Sequence, residues 1–375
     1  MVSKMIFKFS KFLYYRFAFK KENDEKRQKL LQEILEKSKI NSSIEIKAIT
    51  SFKFLFDSVA LNCFDIGGAN ELQPHWLKIH DFASFYMFEP DQRSFNDLVE
   101  KKSKYQNFKI FNLGLGLKNE IRKFYLYNEK TGSTLYDFKE NYVQDFNNKY
   151  IYPIEEIEIE TKSLDCVLYE NQIDFINMLK LDVQGAELEI LKGLTNEKVW
   201  KNIYSVELEV NFQDIYEGAT TFEDVKAFFN EKEFTLFDLR ISRNFDTNLE
   251  LEKRIFNQYF DTDNPIPSIA AKIWEADHVY IRDLHWVLNN ITDYFEFKKY
   301  IIVLITYNFY YEAIKAVLEW FMLNSFFMDK KNELLKAIQT IHSNDRKNLS
   351  NFENYLSSVD YKIWSQYMEV KYPNN

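Results

Sequence analysis

The stretch MLKLDVQGAELEILKG, residues 178–193, sets the expectation for the fold. It begins with an apolar run, passes through a loop that holds Asp182, Gln184 and Gly185, and continues with the apolar spacing of a helix. Eight glycines occur in 375 residues, and all of them lie between positions 67 and 218. Because glycine serves where the backbone needs a positive φ or approaches a ligand closely, the tight loops of this chain are concentrated in one central block.

Strand-like and helix-like segments alternate on both sides of this stretch. The predicted strands are 59–66, 84–90, 108–116, 175–182, 202–212, 234–240 and 277–284. The predicted helices are 23–40, 72–80, 91–105, 186–194 and 221–233. A β pair at 122–128 and 154–165 surrounds the loop EKTGST, which we expect to be mobile, and 241–277 reads as irregular. This alternation predicts an α/β fold with a mostly parallel sheet and helices on both faces.

The flanks of this alternating block are poor in glycine and read as helical. We therefore predict an N-terminal helical extension over 1–58, an α/β domain over 59–285 and a C-terminal helical region over 286–375. The C-terminal region is compatible with a dimerisation element of a homo-oligomer, a lid or an acceptor-binding domain. The apolar segment 299–323 carries interrupting charges, which favours a buried helix over a membrane span.

Composition narrows the classes of partner and of chemistry. The net charge of −9 argues against general nucleic-acid binding. Cys63 and Cys166 form neither a metal pattern nor a disulfide framework, so we expect a reducing, cytoplasmic compartment. Residues 1–21 hold six basic side chains and no acid. They are predicted to form a helix packed on its own domain, and the alternative is peripheral contact with the inner face of an anionic membrane.

Acidic and glycine residues follow the predicted strands at positions that should meet. Asp65, Glu89, Leu113 and Asp182 all fall at carboxyl ends of strands, where ligands bind in open α/β sheets. The G-x-G-x-x-G and P-loop patterns are absent, so a pyrophosphate cradle is not expected. An acid roughly 20 residues after the first glycine loop can accept ribose hydroxyl protons. S-adenosylmethionine is a nucleoside without pyrophosphate, and its sulfonium suits an acidic edge.

Several motifs resemble those of the FkbM-type methyltransferases between about residue 62 and residue 285. The opening stretch is similar to the family's K-x-D-x-[EQ]-G-A-E-x-x-x-L-x-G signature. FEPD (88–91), NLGLG (112–116) and SLD (163–165) resemble further family segments. The first loop differs, because it reads DIGGANE (65–71) where many members read D-x-G-A-N-x-G.

The resemblance implies a Rossmann-like class I methyltransferase fold with a seven-stranded sheet, and S-adenosylmethionine as cofactor. It implies that Asp65, Gly67 and Gly68 face the methionine part, that Glu89 and Pro90 hold the ribose, that Asn112 and Leu113 line the adenine, and that Asp182 lies near the amino group or the acceptor hydroxyl. The implied reaction is O-methyl transfer to a sugar hydroxyl of a bacterial surface glycan, of capsule or lipooligosaccharide type, or its precursor. The alternatives are a lipid-linked or small-metabolite hydroxyl as acceptor, and an inactive binding or scaffold module.

A sugar hydroxyl is a poor nucleophile and gains from a general base. The carboxylates in range of the predicted edge are Asp182, Glu187, Glu207 and Glu209. We expect Asp182 first and Glu209 second, whereas Glu187 begins a helix and there also favours the helix dipole. Two of these carboxylates could instead hold Mg²⁺, which takes oxygen ligands.

Overall fold

The computed structural model describes residues 53–68, 72–73, 75–102, 107–139, 152–212, 215–244, 272–343 and 345. The basic segment 1–21 and the predicted helix 23–40 therefore lie outside the described residues, as does the end of the chain after 345.

Ten strands occur in the described residues. In chain order they are β1 Asn62–Ile66, β2 Ser84–Phe88, β3 Phe108–Phe111, β4 Gly114–Leu115, β5 Glu120–Tyr127, β6 Pro153–Lys162, β7 Met178–Leu181, β8 Ser205–Asn211, β9 Phe234–Asn244 and β10 Lys272–Arg282. Seven of them form one sheet in the order β3-β2-β1-β7-β8-β10-β9. The first five are parallel, and β10 runs antiparallel to both of its neighbours. This sheet confirms the predicted Rossmann-like α/β fold.

The helices include those predicted at 91–105, 186–194 and 221–233, whereas the helix Leu164–Asn171 was not predicted and begins inside the predicted strand 154–165. In chain order, the helices are α1 Gln92–Lys102, α2 Leu164–Asn171, α3 Glu187–Lys192, α4 Glu197–Trp200, α5 Phe222–Glu231, α6 Leu284–Asn290, α7 Tyr294–Thr306 and α8 Tyr310–Leu323, and 328–343 is also helical. Asp91 caps α1, since its Oδ1 accepts from the Arg93 amide at 2.9 Å. Thr221 and Asp224 form a capping box at the start of α5.

The structure corrects three further sequence-based expectations. The predicted helix 72–80 is a short 3₁₀ turn, Trp76–Lys78, because the residue before Pro74 is disfavoured in a helix. The predicted strand 108–116 is split between β3 and β4, and the Asn112 side chain between them bonds backbone carbonyls instead of a strand ladder. Both ends of the region 241–277, predicted to be irregular, are strand instead, because antiparallel pairing extends β9 to 244 and begins β10 at 272.

A second, three-stranded sheet in the order β4-β6-β5 contains the predicted β pair. β5 and β6 are antiparallel, and β4 pairs with β6 in parallel. We call these three strands, with the turn Lys130–Gly132 that follows β5, the arm. The arm places its inward side chains against the edge of the main sheet where the predicted ligand residues lie.

The two faces of the central sheet differ in chemistry. One face carries Phe64, Leu179 and Val206, which belong to the main hydrophobic core together with residues of α2, α3 and α5. Because side chains alternate along a strand, the opposite face carries the next residue of each strand. Asp65, Lys180 and Glu207 occupy that face side by side, since Asp65 pairs with Lys180 and Lys180 with Glu207. All three are buried.

The chain divides into two compact units. Both sheets and the arm belong to the unit of Ala60–Gln73 and His80–Val303. The other unit consists of Met1–Val59, Pro74–Ile79 and Leu304–Asn375, as far as the structure describes them. Within it, Trp320 of α8 is fully buried and Lys78 forms an ion pair with Asp345 at 2.6 Å. The predicted domain boundaries after residues 58 and 285 stay predictions.

The apolar segment 299–323 forms parts of two helices, α7 and α8, with a break at Tyr307–Phe309. Within the part of the chain that the structure describes, no helix is both long and apolar enough to cross a membrane.

Candidate active site

A cleft lies at the carboxyl edge of the parallel strands. Its empty volume is about 600 Å³, which includes the mouth that is open to solvent. The main sheet contributes Gly67, Glu89, Pro90, Leu113 and Asp182, and the arm contributes apolar groups such as Phe124 and Ile159. Five of the predicted cofactor residues therefore line one cleft. Asp65, Gly68 and Asn112 do not line the cleft, but each is next in sequence to a residue that does.

Gly67 joins the ends of three strands. Its φ is +78°, and a Cβ at this position would lie 1.8 Å from the backbone oxygen of Asp182. The Gly67 amide donates to the Phe88 carbonyl at 3.0 Å, and the Asp182 amide donates to the Ile66 carbonyl at 3.0 Å. A side chain at this position would therefore force β1 and β7 apart. Gly68 also faces a crowded site, with the Asp65 carboxyl 3.4 Å from the place of its missing Cβ.

Glu89 is a buried carboxyl group at the end of β2. Its Oε1 accepts from the Asp91 amide at 2.8 Å, and no hydrogen bond from the described residues reaches Oε2. Asn112 Nδ2 in the side chain donates to the backbone carbonyls of Glu89 (2.9 Å) and Pro90 (3.2 Å). These bonds fix the loop that carries the Glu89 carboxyl group. Burial raises the pKa of Glu89 to about 8, and the nearby carboxylates of Asp182 and others add to this.

Lys180 is a charged residue that the sequence analysis assigned no role. Its Nζ lies 3.0 Å from Asp182 Oδ2 and 3.8 Å from Asp65 Oδ1, and its side chain is 4% exposed. Burial alone lowers the pKa of Lys180, but the carboxylates of Asp182, Asp65 and Glu207 raise it above its usual value. The signal in the sequence was a lysine inside the apolar run MLKL, because lysine is almost never fully buried unless it is paired.

Glu187 holds the loop between β7 and α3. Its Oε1 accepts from the Val183 amide at 3.1 Å, and its Oε2 accepts from the Gly185 amide at 3.0 Å. Burial raises the pKa of this carboxyl group to about 7. Both oxygens are thus directed at backbone amides of the loop.

Gln184 brings two of the predicted base candidates together. Its Nε2 donates to Glu209 Oε1 at 2.9 Å and lies 3.4 Å from Asp182 Oδ1. The Tyr216 hydroxyl donates to Gln184 Oε1 at 2.7 Å, which fixes the orientation of the amide. Burial raises the pKa of Glu209 well above its usual value, and the neighbouring Asp182 carboxylate adds to the effect. Gln184 and Tyr216 were not predicted as site residues, because their contacts cross from one loop to another.

Glu207, the remaining candidate base, has a different partner. It is 1% exposed, and its Oε1 accepts from Arg240 Nη1 at 2.9 Å. Asp277 lies opposite Glu209 in the β8–β10 register, and burial raises its pKa to about 6, with Glu207 adding to the shift. The acidic face of the sheet is thus partly neutralised by Lys180 and Arg240.

The expectation of Mg²⁺ receives no support from this geometry. Across the described residues, no group of three or more histidine, cysteine or acidic side chains is arranged to hold a metal ion. Asp182 and Glu207 instead pair with Lys180 and Arg240, which supply the positive charge that a cation would bring.

The fold is a Rossmann-like α/β domain with a cleft at the carboxyl edge of its sheet. Residues 65–236 match the family of the methyltransferase FkbM domain. This match over residues 65–236 confirms the resemblance to FkbM-type methyltransferases seen in the motifs. A relative described as "2-O-methyltransferase NoeI", from Sinorhizobium fredii (strain NBRC 101917 / NGR234), is 26% identical over 147 residues. That similarity covers 38% of this chain and 60% of the relative, which is less than two thirds of its length.

Proposed function

We propose that this protein is an S-adenosylmethionine-dependent methyltransferase that methylates a hydroxyl oxygen of a sugar. The observation that carries the proposal is that Glu89 and Asp182 line one cleft, beside the close approach of Gly67 to the Asp182 backbone. The domain family and the printed name of the relative, a 2-O-methyltransferase, support methyl transfer to oxygen.

The residues of the cleft fit the two chemical halves of this cofactor. Glu89 would accept hydrogen bonds from the ribose hydroxyls, because its Oε2 has no partner among the described residues. Leu113 and the apolar groups of the arm would cover the adenine. Asp65, with the glycines at 67 and 68, would face the methionine part. When bound, S-adenosylmethionine supplies a methyl group already activated on a sulfonium, and acidic groups at this edge favour that positive charge.

Asp182 and Glu209 would together take the proton of the acceptor hydroxyl. Lys180 Nζ lies 3.0 Å from Asp182 Oδ2, and this ion pair would fix the orientation of the carboxyl group. The Gln184 side-chain amide contacts both Glu209 and Asp182, so the two carboxyl groups would lie close to the same acceptor hydroxyl. Glu187 is assigned the role of holding the loop, because both of its oxygens bond backbone amides.

We propose a sugar of a bacterial surface glycan, or its precursor, as the acceptor, and a cytoplasmic site of action. A lipid-linked or small-metabolite hydroxyl is the alternative acceptor. Homo-oligomer formation, and contact of the basic segment 1–21 with a membrane surface, are further proposals that follow from the sequence alone.

A transfer assay tests the reaction. The purified chain would be incubated with S-adenosylmethionine labelled in its methyl group and with a panel of methyl glycosides and nucleotide sugars. We expect label in a sugar product, a large loss in Glu209→Gln, and full transfer in the matched variant Glu158→Gln, whose side chain is exposed on the arm. Transfer to nitrogen acceptors alone, or equal transfer by Glu209→Gln, would contradict the proposed reaction.

A further inference from the structure

The turn that follows β5 forms part of the cleft wall. Lys130, Thr131 and Ser133 line the cleft together with Glu89 and Pro90. The turn is a short 3₁₀ segment between two extended residues, Glu129 and Ser133. The sequence EKTGST (129–134) predicted a mobile loop, and hydrogen bonds on both sides of the turn attach it to the edge of the main sheet.

The residues on both sides of the turn are attached to the start of α1. Arg93 Nε lies 2.9 Å and 3.1 Å from the two carboxylate oxygens of Asp91, whose side chain is 1% exposed. Arg93 Nη2 also donates to the Tyr127 carbonyl at 2.9 Å. The Ser133 hydroxyl donates to Asp91 Oδ2 at 3.2 Å. Asp91, whose amide holds Glu89 Oε1, therefore connects the carboxyl group in the cleft with the turn of the arm.

Thr134, on the carboxyl side of the turn, is attached to the loop after β7. Thr134 is fully buried, and its hydroxyl donates to the Gln184 carbonyl at 2.7 Å. Its backbone exchanges two hydrogen bonds with Tyr125 of β5, at 2.9 Å and 3.1 Å. The turn is thus held between the two loops that carry Glu89 and Asp182.

Arg93 maintains the charge balance of this connection. Burial alone would raise the pKa of Asp91, but the hydrogen bonds and the charge of Arg93 keep it below its usual value. A lysine could neutralise Asp91, but a single ammonium group lacks the planar fork that bonds a carboxylate and a carbonyl at once. The connection therefore needs the planar geometry of the arginine side chain, because a positive charge alone would not hold both the carboxylate and the carbonyl.

We propose that the arm turn Lys130–Ser133 belongs to the nucleoside-binding half of the cleft, and that Arg93 is the positioning residue that holds it beside Glu89. This inference rests on the proposed function. The turn offers hydroxyl groups and an ammonium group on the side of the cleft where a ribose and a base edge would need hydrogen-bond partners. Lys130 is meanwhile held by Asp97, 2.7 Å from its Nζ.

The test is a calorimetric titration with S-adenosylhomocysteine and with 5′-methylthioadenosine, which lacks the amino-acid part. The variants are Arg93→Lys, Arg93→Met and Ser133→Ala. Both Arg93 variants lose hydrogen bonds that hold the turn, to Asp91 or the Tyr127 carbonyl, and should weaken each ligand by about tenfold or more. Ser133→Ala leaves the Arg93–Asp91 pair intact and should weaken both ligands by about fivefold.

The matched control is Lys123→Met on the outer face of the same arm, where Lys123 pairs with Glu156 at 2.7 Å and is largely exposed. It should bind both ligands as the wild type does. Wild-type affinity in Arg93→Lys would show that charge alone suffices and would overturn the inference, as would wild-type affinity in Ser133→Ala. A loss confined to S-adenosylhomocysteine would also overturn it. If the wild type binds neither ligand, the proposed function itself fails.

Discussion

At the scale of single residues, the buried carboxyl group of Glu89 should couple ligand binding to the loss of a proton. Its pKa is raised to about 8 by burial, so the unliganded protein holds a proton there at neutral pH. Ribose hydroxyls that donate to this group favour the carboxylate. Ligand binding and loss of this proton are therefore coupled.

The affinity for S-adenosylhomocysteine should consequently rise with pH. Below pH 8 the proton competes with the ligand, and affinity should fall by up to about tenfold per pH unit. Calorimetry between pH 6 and pH 9 measures this dependence. Glu89→Gln should bind more weakly and with no such slope. A wild-type affinity that is flat over this range would exclude Glu89 as the ribose ligand.

Gly67 and Gly218 have similar backbone conformations but different surroundings, so a comparison of their alanine variants separates backbone strain from steric clash. Both have a positive φ, at +78° and +76°, but a Cβ at Gly67 meets the Asp182 carbonyl whereas a Cβ at Gly218 meets nothing within 4 Å. Gly218→Ala should cost only the backbone strain, about 1 kcal/mol. Gly67→Ala should lower the free energy of unfolding by about 3 kcal/mol or more. Urea denaturation of both variants decides this, and equal losses would contradict the close contact of β1 and β7.

At the scale of elements, the loop between β7 and α3 connects the wall of the cleft beside the arm with the carboxyl groups of Asp182 and Glu209. Gln184 has a φ of +57°, in the left-handed region that non-glycine residues seldom adopt. Its side chain reaches Glu209 and Asp182, and its carbonyl accepts from Thr134. The loop thus touches β8, β7 and the arm through one residue.

Gln184→Leu should therefore lower the rate of methyl transfer more than the affinity for the cofactor. Without the Gln184 side-chain amide, Asp182 and Glu209 lose the donor that holds them together. The rate gain from proton transfer, commonly at least about a hundredfold, should then be largely lost. Tyr216→Phe, which only frees the amide to rotate, should show a smaller loss in the same direction. The transfer assay and calorimetry separate the two effects. Full transfer by Gln184→Leu would remove this loop from the mechanism.

Most of the sheet could be predicted from the sequence, because buried parallel strands such as β1 and β7 read as short apolar runs that end in acid or glycine. The placing of Gly67 and Glu89 at one edge followed from the topology of such sheets. The attachment of the arm turn could not be predicted, since it depends on Arg93 and Thr134 finding partners far along the chain. The role of Gln184 was missed for the same reason.

At the scale of the whole molecule, burial of several carboxyl groups makes stability depend on pH. Glu187 and Glu89 have pKa values raised from 4.5 to about 7 and about 8. A carboxyl group with a raised pKa favours the folded state below its unfolded pKa, and this contribution is lost as the pH rises through the folded value. His278 acts in the opposite direction at low pH. It is fully buried, and burial lowers its pKa from 6.5 to about 4.

These two carboxyl groups should therefore lower the stability of the unliganded protein as the pH rises from 4.5 to about 8, the interval between their unfolded and folded pKa values. The urea midpoint should fall over this interval, because Glu187 and Glu89 must ionise in a buried site. His278 should partly offset the fall below pH 6.5, because the unfolded form binds a proton there that the buried form does not. Glu187→Gln should reduce this slope. A midpoint that rises steadily from pH 6 to pH 9 would be incompatible with these buried groups.

The most direct test of the central claim is calorimetric titration with S-adenosylmethionine and S-adenosylhomocysteine at pH 8.5, on the wild type, Glu89→Ala and the exposed control Glu158→Ala. Micromolar binding to the wild type and the control, with a sharp loss in Glu89→Ala, is the predicted result. If neither ligand binds to the wild type, or if Glu89→Ala binds them as tightly as the wild type does, the assignment of this cleft as the cofactor site is contradicted.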